Sequence, residues 1–137
     1  MTQKDKELLL KDLCARLPYG VKFLRESWNF EWDEELSVIE VLKDIDKDGY
    51  INNTKVYTVD DIKPYLFPLS SMTEEQKQYI KNRFCYDWDG EPYDLWKYQI
   101  EIEDTDELIG WFNKNHFDYR GFIEQSLALD ATNLNIY

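Results

Sequence analysis

Apolar positions near the start of the chain fall at the spacing of one helix face, with Leu9, Leu10, Leu13, Cys14 and Leu17 on a stripe and Lys6, Lys11, Asp12 and Arg16 elsewhere. The spacing predicts a helix over residues 4–17, stopped by Pro18. After Tyr19 and Gly20 the period shortens toward two. Residues 21–26 show part of that pattern, and 35–42 alternate more clearly around Val38, Glu40 and Leu42, so both read as strands. Between them, residues 28–34 mix aromatic and acidic side chains and read as a wide loop or an extension of the hairpin. Tyr50, Ile51 and residues 55–58 supply a third strand, reached through Asp46, Lys47, Asp48 and Gly49, whose Asp-Gly step suits a turn needing positive φ. Three such strands make an antiparallel meander. Residues 59–66 read as a short helical or irregular turn, because Pro64 and Pro68 prevent a helix from extending there.

Helical signals return at Thr73, where Gln76 three positions on completes a capping box and predicts a helix over 74–84 with Tyr79, Ile80 and Phe84 on its core face. Residues 87–92 read as loop. Residues 95–102 alternate at their end and fit a strand or a helix, with strand the better match. Asp104 with Glu107 opens a further helix through Leu108, Ile109, Trp111 and Phe112, closing near Asn115. Asp118 is placed to cap a last helix that turns Phe122, Ile123 and Leu127 inward, and residues 130–137 read as a frayed or extended tail. The expected fold is α+β: an N-terminal helix, a three- or four-stranded antiparallel sheet, and C-terminal helices packed on one face.

Composition supports one folded domain. At 137 residues, with 43% hydrophobic and 16% aromatic side chains, the chain has the material for a core, and a domain of this size buries about two-thirds of the surface that its unfolded chain exposes. No apolar run approaches the roughly 20 residues of a bilayer-spanning helix, and the charged start lacks a signal-peptide core, so a cytoplasmic location is expected. Cys14 and Cys85 form no CxxC pair and are expected as two buried thiols.

Charge narrows the partners. A net charge of -12, from 28 acidic against 16 basic side chains, repels phosphate backbones and anionic membranes, which argues against direct nucleic-acid or membrane binding. The surplus serves solubility or attracts a basic partner, mimicry of DNA included.

Three stretches carry a resemblance: residues 12–21 (DLCARLPYGV), residues 62–66 with 68–75 (IKPYL, PLSSMTEE), and residues 116–121 (HFDYRG). Together they resemble a family of proteins without assigned activity that is common in gut Bacteroidetes and their phages or mobile elements. The resemblance implies a bacterial or phage origin and no mechanism. The chain departs from that family's pattern at Asn115, where a second His is usual, at Phe112, where Leu is usual, and after Leu129.

Three constellations are candidates for chemistry. Residues 44–52 place Asp44, Asp46 and Asp48 at the first, third and fifth positions of an EF-hand-type calcium loop, with Gly49 sixth and Ile51 eighth. The twelfth position, where a bidentate Glu should close the coordination sphere, is Lys55. An acidic hairpin turn accounts for the same residues. The sole histidine, His116, lies with Asp118, Tyr119 and Arg120 between two predicted helices. As a structural group it ends one helix while Asp118 caps the next and Arg120 pairs with carboxylates; as a binding site the three would face a ligand. The third is the acidic-aromatic stretch 28–35 with Trp28 and Trp32, matched by 88–96, which suits a sugar face, a basic peptide or a cationic ligand unless its rings are core. No phosphate-cradling glycine loop is present.

The expected function is a non-enzymatic binding or accessory protein, of phage or mobile-element type, that takes a basic protein partner through an acidic surface, with a homo-oligomer formed through the sheet edge also open. The alternatives are a small hydrolase using paired carboxylates, or a module stabilised by calcium at residues 44–52. No other cofactor is expected.

Overall fold

Thr2 starts the first helix, α1 (Gln3–Arg16), by a reciprocal cap: its hydroxyl accepts the Asp5 amide at 3.1 Å and the Asp5 carboxylate accepts the Thr2 amide at 3.0 Å. The computed structural model describes the backbone of residues 1–29, 34–84 and 105–137 and the side chains of 1–25, 39–84 and 106–137. The buried face of α1 is Leu9, Asp12, Leu13 and Arg16. This stripe is rotated from the predicted one, so Cys14, expected as a buried thiol, is exposed. Cys85 lies outside the described residues. A short 3-10 turn, Leu17–Tyr19, holds Pro18, and Gly20 at φ 67° turns the chain into the sheet.

Strands β1 (Lys22–Asn29) and β2 (Glu34–Val41) pair antiparallel from Lys22↔Val41 to Asn29↔Glu34. The predicted hairpin is therefore present, and it extends through the backbone of Trp28. The predicted third strand is not. Around residues 50–58 there is an isolated bridge, Ile45↔Ile51, and the Ile51 amide donates to the Tyr57 carbonyl at 2.8 Å.

The third strand is instead β3 (Ile62–Pro68), in the stretch read as a turn because of its prolines. Ile62, Pro64, Tyr65 and Leu66 are all buried, so the strand lacks the period-two signature of a half-exposed one. It pairs antiparallel with β1 from Arg25↔Ile62 to Phe23↔Pro64, so Pro64, which has no N–H, stands where that ladder ends. Beyond it, β3 pairs parallel with β4 (Phe117–Asp118) and with β5 (Leu129–Asp130). Among the described residues the sheet has five strands and is mixed, where a wholly antiparallel one of three or four strands was expected.

The capping box at Thr73 is formed, with the Gln76 backbone amide donating to the Thr73 hydroxyl at 3.1 Å and the Gln76 side-chain Oε1 accepting the Thr73 amide at 2.9 Å. Helix α2 (Glu74–Phe84) follows it, with Ile80 and Phe84 buried and Tyr79, expected on the same face, exposed. Helix α3 (Thr105–Lys114) matches the predicted helix, while its expected cap Asp104 and residues 87–102 lie outside the described residues. The predicted last helix is absent. Residues 119–128 run as turns, with Gly121 at φ 76° and Ser126 at φ 61°, values that break a right-handed helix at both ends of the stretch. Phe122 and Leu127 nonetheless point inward as predicted.

The architecture is α+β. One core cluster joins α1, β1, β3 and the 122–128 turns through Leu9, Leu13, Phe23, Leu66, Phe122 and Leu127. A second joins α2, α3 and β4 through Ile80, Phe84, Leu108, Phe112 and Phe117. No helix among the described residues is long and apolar enough to cross a membrane.

Candidate functional site

The end of α1 meets the segment following β4, and there the structure gathers two of the three residues singled out around the histidine with a pair that the sequence reading had placed off the apolar stripe. Asp12 and Arg16, one helical turn apart, are both fully buried. The Arg16 Nε donates to Asp12 Oδ2 at 2.7 Å, and its Nη2 donates to Asp12 Oδ1 at 3.3 Å and to the Phe117 carbonyl at 2.7 Å. Arg120, far along the chain, adds its Nε to Asp12 Oδ1 at 3.1 Å. The Tyr119 ring lies 5.3 Å from the Arg16 guanidinium and 5.1 Å from that of Arg120. Arg16 Nη1 is buried with no hydrogen-bond partner among the described residues. A buried ion pair survives only when hydrogen bonds compensate the loss of water, and Asp12 meets that condition by engaging both of its oxygens.

Asp118 is nearly buried and accepts the amides of Phe122 and Ile123, each at 2.9 Å. The expected cap exists, but it closes a turn and no helix follows. Arg120 pairs with a carboxylate as expected. His116 ends α3 in the left-handed region at φ 62°, with its amide on the Asn113 carbonyl at 3.2 Å and its carbonyl accepting the Phe67 amide at 2.8 Å. That backbone places its ring against Tyr137, with centroids 3.8 Å apart and planes 13° from parallel. Burial, with Arg16 and Lys22 nearby, lowers the imidazole to about 4, so it is neutral at pH 7. Its Nδ1 is buried with no hydrogen-bond partner among the described residues.

The chemistry open to this constellation is limited. Asp12 is held by two guanidinium groups and Asp118 by two backbone amides, so both carboxylates are engaged in holding the fold, while the His116 ring is stacked on Tyr137. What the arrangement does is join the end of α1 to residues 117–123.

The other candidates separate from it. In the acidic loop, Asp46 Oδ1 accepts the amides of Asp48 at 2.9 Å and Tyr50 at 3.0 Å, and Gly49 takes φ 86°. Asn52 Oδ1 accepts the amides of Lys43 and Asp44 at 2.7 and 3.2 Å. These are the bonds of an Asx-stabilised hairpin turn. Among the described residues no group of three or more His, Cys, Asp or Glu side chains is placed to hold a metal ion. The backbone of Trp28 sits in β1 opposite Glu35, while its side chain, Trp32 and the 88–96 stretch lie outside what the structure describes.

Sequence reading missed Asp12, Arg16 and Tyr137 as partners of these residues. The signal for the first two was present: positions 9, 12, 13 and 16 form a helical stripe as regular as the one chosen, and a charged i,i+4 pair on it is what a buried bridge requires. Nothing local marks Tyr137, whose contacts are all distant in sequence. No family model, curated protein or solved structure matches this chain.

Proposed function

We propose that this chain is a non-enzymatic binding or accessory protein, cytoplasmic and of bacterial or phage origin, that takes a basic protein partner through its acidic surface. The observation that carries the reading is where the charge lies. The net charge is -12, while the buried charged side chains among the described residues are Asp12, Arg16 and Asp118. Among the described side chains 16 acidic and 15 basic residues nearly balance, so 11 of the 12 units of surplus belong to residues 26–38 and 85–105 of the sequence. Asp44, Asp48, Asp60 and Asp61 are among the exposed carboxylates, the last two lining a concavity with Leu24, Ile62 and Lys63. A surface of this sign repels phosphate and speeds encounter with a basic protein.

The test is affinity capture on the immobilised protein from a bacterial lysate at low salt. A basic protein retained at roughly 0.05 M salt and released by about 0.5 M, where screening shortens the reach of charge to a few ångströms, is the expected result. Retention of no basic protein, or retention indifferent to salt, would contradict the reading.

A further inference from the structure

The β1–β3 ladder stops at Phe23↔Pro64, so the next pair in register would be Lys22 with Tyr65. No direct rung forms there. The Tyr137 phenol stands in its place, accepting the Lys22 amide at 2.7 Å and donating to the Tyr65 carbonyl at 2.8 Å. One side-chain hydroxyl thus satisfies a donor on one strand and an acceptor on its neighbour, both of which the end of the ladder would otherwise leave unpaired. Around it the tyrosine ring stacks on His116 and lies 5.7 Å from the Phe67 ring, and the Lys22 ammonium, 5.7 Å from the tyrosine ring, donates to the Ile136 carbonyl.

Between this contact and β5 the chain makes short-range bonds, the Thr132 amide to Asp130 Oδ1 at 2.8 Å and the Leu134 amide to the Ala131 carbonyl at 3.2 Å. Ala131 is buried and its amide donates to the Leu66 carbonyl at 2.8 Å, but Thr132, Asn133, Leu134 and Asn135 are exposed, with Leu134 48% accessible. Asn133 and Asn135 take φ 67° and 53°, turn conformations without a sheet ladder. A segment anchored at its two ends and solvated between them opens at the weaker end, and an end held by the Tyr137 side chain and the Ile136 carbonyl can leave without disturbing the core.

We propose that residues 132–137 are a detachable clasp over the β1–β3 seam, hinged at Ala131 and caught by the Tyr137 phenol between Lys22 and Tyr65. Release uncovers the Lys22 amide, the Tyr65 carbonyl and the face of His116, and leaves both core clusters intact. The catch holds across the physiological range, because burial pushes the phenol up to about 12 and keeps the proton on its own oxygen, from which it is donated to the Tyr65 carbonyl.

Native-state amide hydrogen exchange, read residue by residue, tests the clasp. The Lys22 amide should exchange by a local opening that depends little on denaturant, whereas the Phe67 amide, bonded to the His116 carbonyl, should exchange only through larger unfolding. Tyr137→Phe keeps the stacked ring and removes the catch, and should speed Lys22 exchange about tenfold while leaving Phe67 unchanged, the effect of losing one hydrogen bond. Equal rates and denaturant slopes for Lys22 and Phe67 in the unmodified protein would overturn the proposal. So would a Tyr137→Phe variant in which the two amides accelerate together, since the tail would then be an integral part of the core.

Discussion

Asp12 shows how a single side chain is committed by its surroundings. Fully buried and bonded to both Arg16 and Arg120, it leaves an uncompensated cation in the interior when removed. Asp12→Ala should lower unfolding free energy by about 3–5 kcal/mol, read from urea denaturation, whereas a loss within about 0.5 kcal/mol would mean the bridge is not formed in solution. His116 gives a second prediction at this scale. Its folded value of about 4 lies below the ordinary 6.5, so between those values the unfolded chain binds the proton that the folded chain refuses. Stability should therefore be fully present above pH 6.5 and fall as the pH drops toward 4, and His116→Phe, which keeps a stacked ring, should flatten that part of the pH profile. As the sole histidine, its ring resonances are unambiguous in a proton NMR titration, where a midpoint near 6.5 would refute the assignment.

Among the elements, what could be read from the chain was whatever is encoded locally. Helices α1, α2 and α3 and the β1–β2 hairpin announce themselves by periodicity and caps, and Thr73→Ala should cost about 1 kcal/mol in thermal or urea unfolding by removing the acceptor of the Gln76 amide. Gly20→Ala should cost about 1 kcal/mol for a different reason. A methyl group there would meet nothing nearer than Val41 at 3.8 Å, but φ 67° is unfavourable for any side chain. Strand β3 was hidden because its buried residues do not alternate and its prolines signal a break, although Pro64 sits where the β1 ladder needs no further donor. The two-residue strands β4 and β5 are created by their pairing with β3 and have no pattern of their own. The last helix was over-read, since Asp118 offers the same cap to a turn as to a helix, and positive φ at Gly121 and Ser126 decides between them.

For the whole molecule, the site residues proved legible in type and not in arrangement. Arg120 was expected to meet a carboxylate and Asp118 to cap backbone amides, and they do, but the partner of Arg120 lies 108 positions away, a distance no local pattern spans. The net charge of -12 is what the proposed recognition of a basic partner rests on, and it makes that proposal quantitative. The most direct measurement is the dissociation constant of the captured basic protein, purified, by isothermal titration across ionic strength. Affinity should weaken at least about tenfold between roughly 0.05 and 0.5 M salt, and further in an Asp60→Lys, Asp61→Lys variant that remains folded. A dissociation constant that holds steady across that range would contradict recognition through the acidic surface.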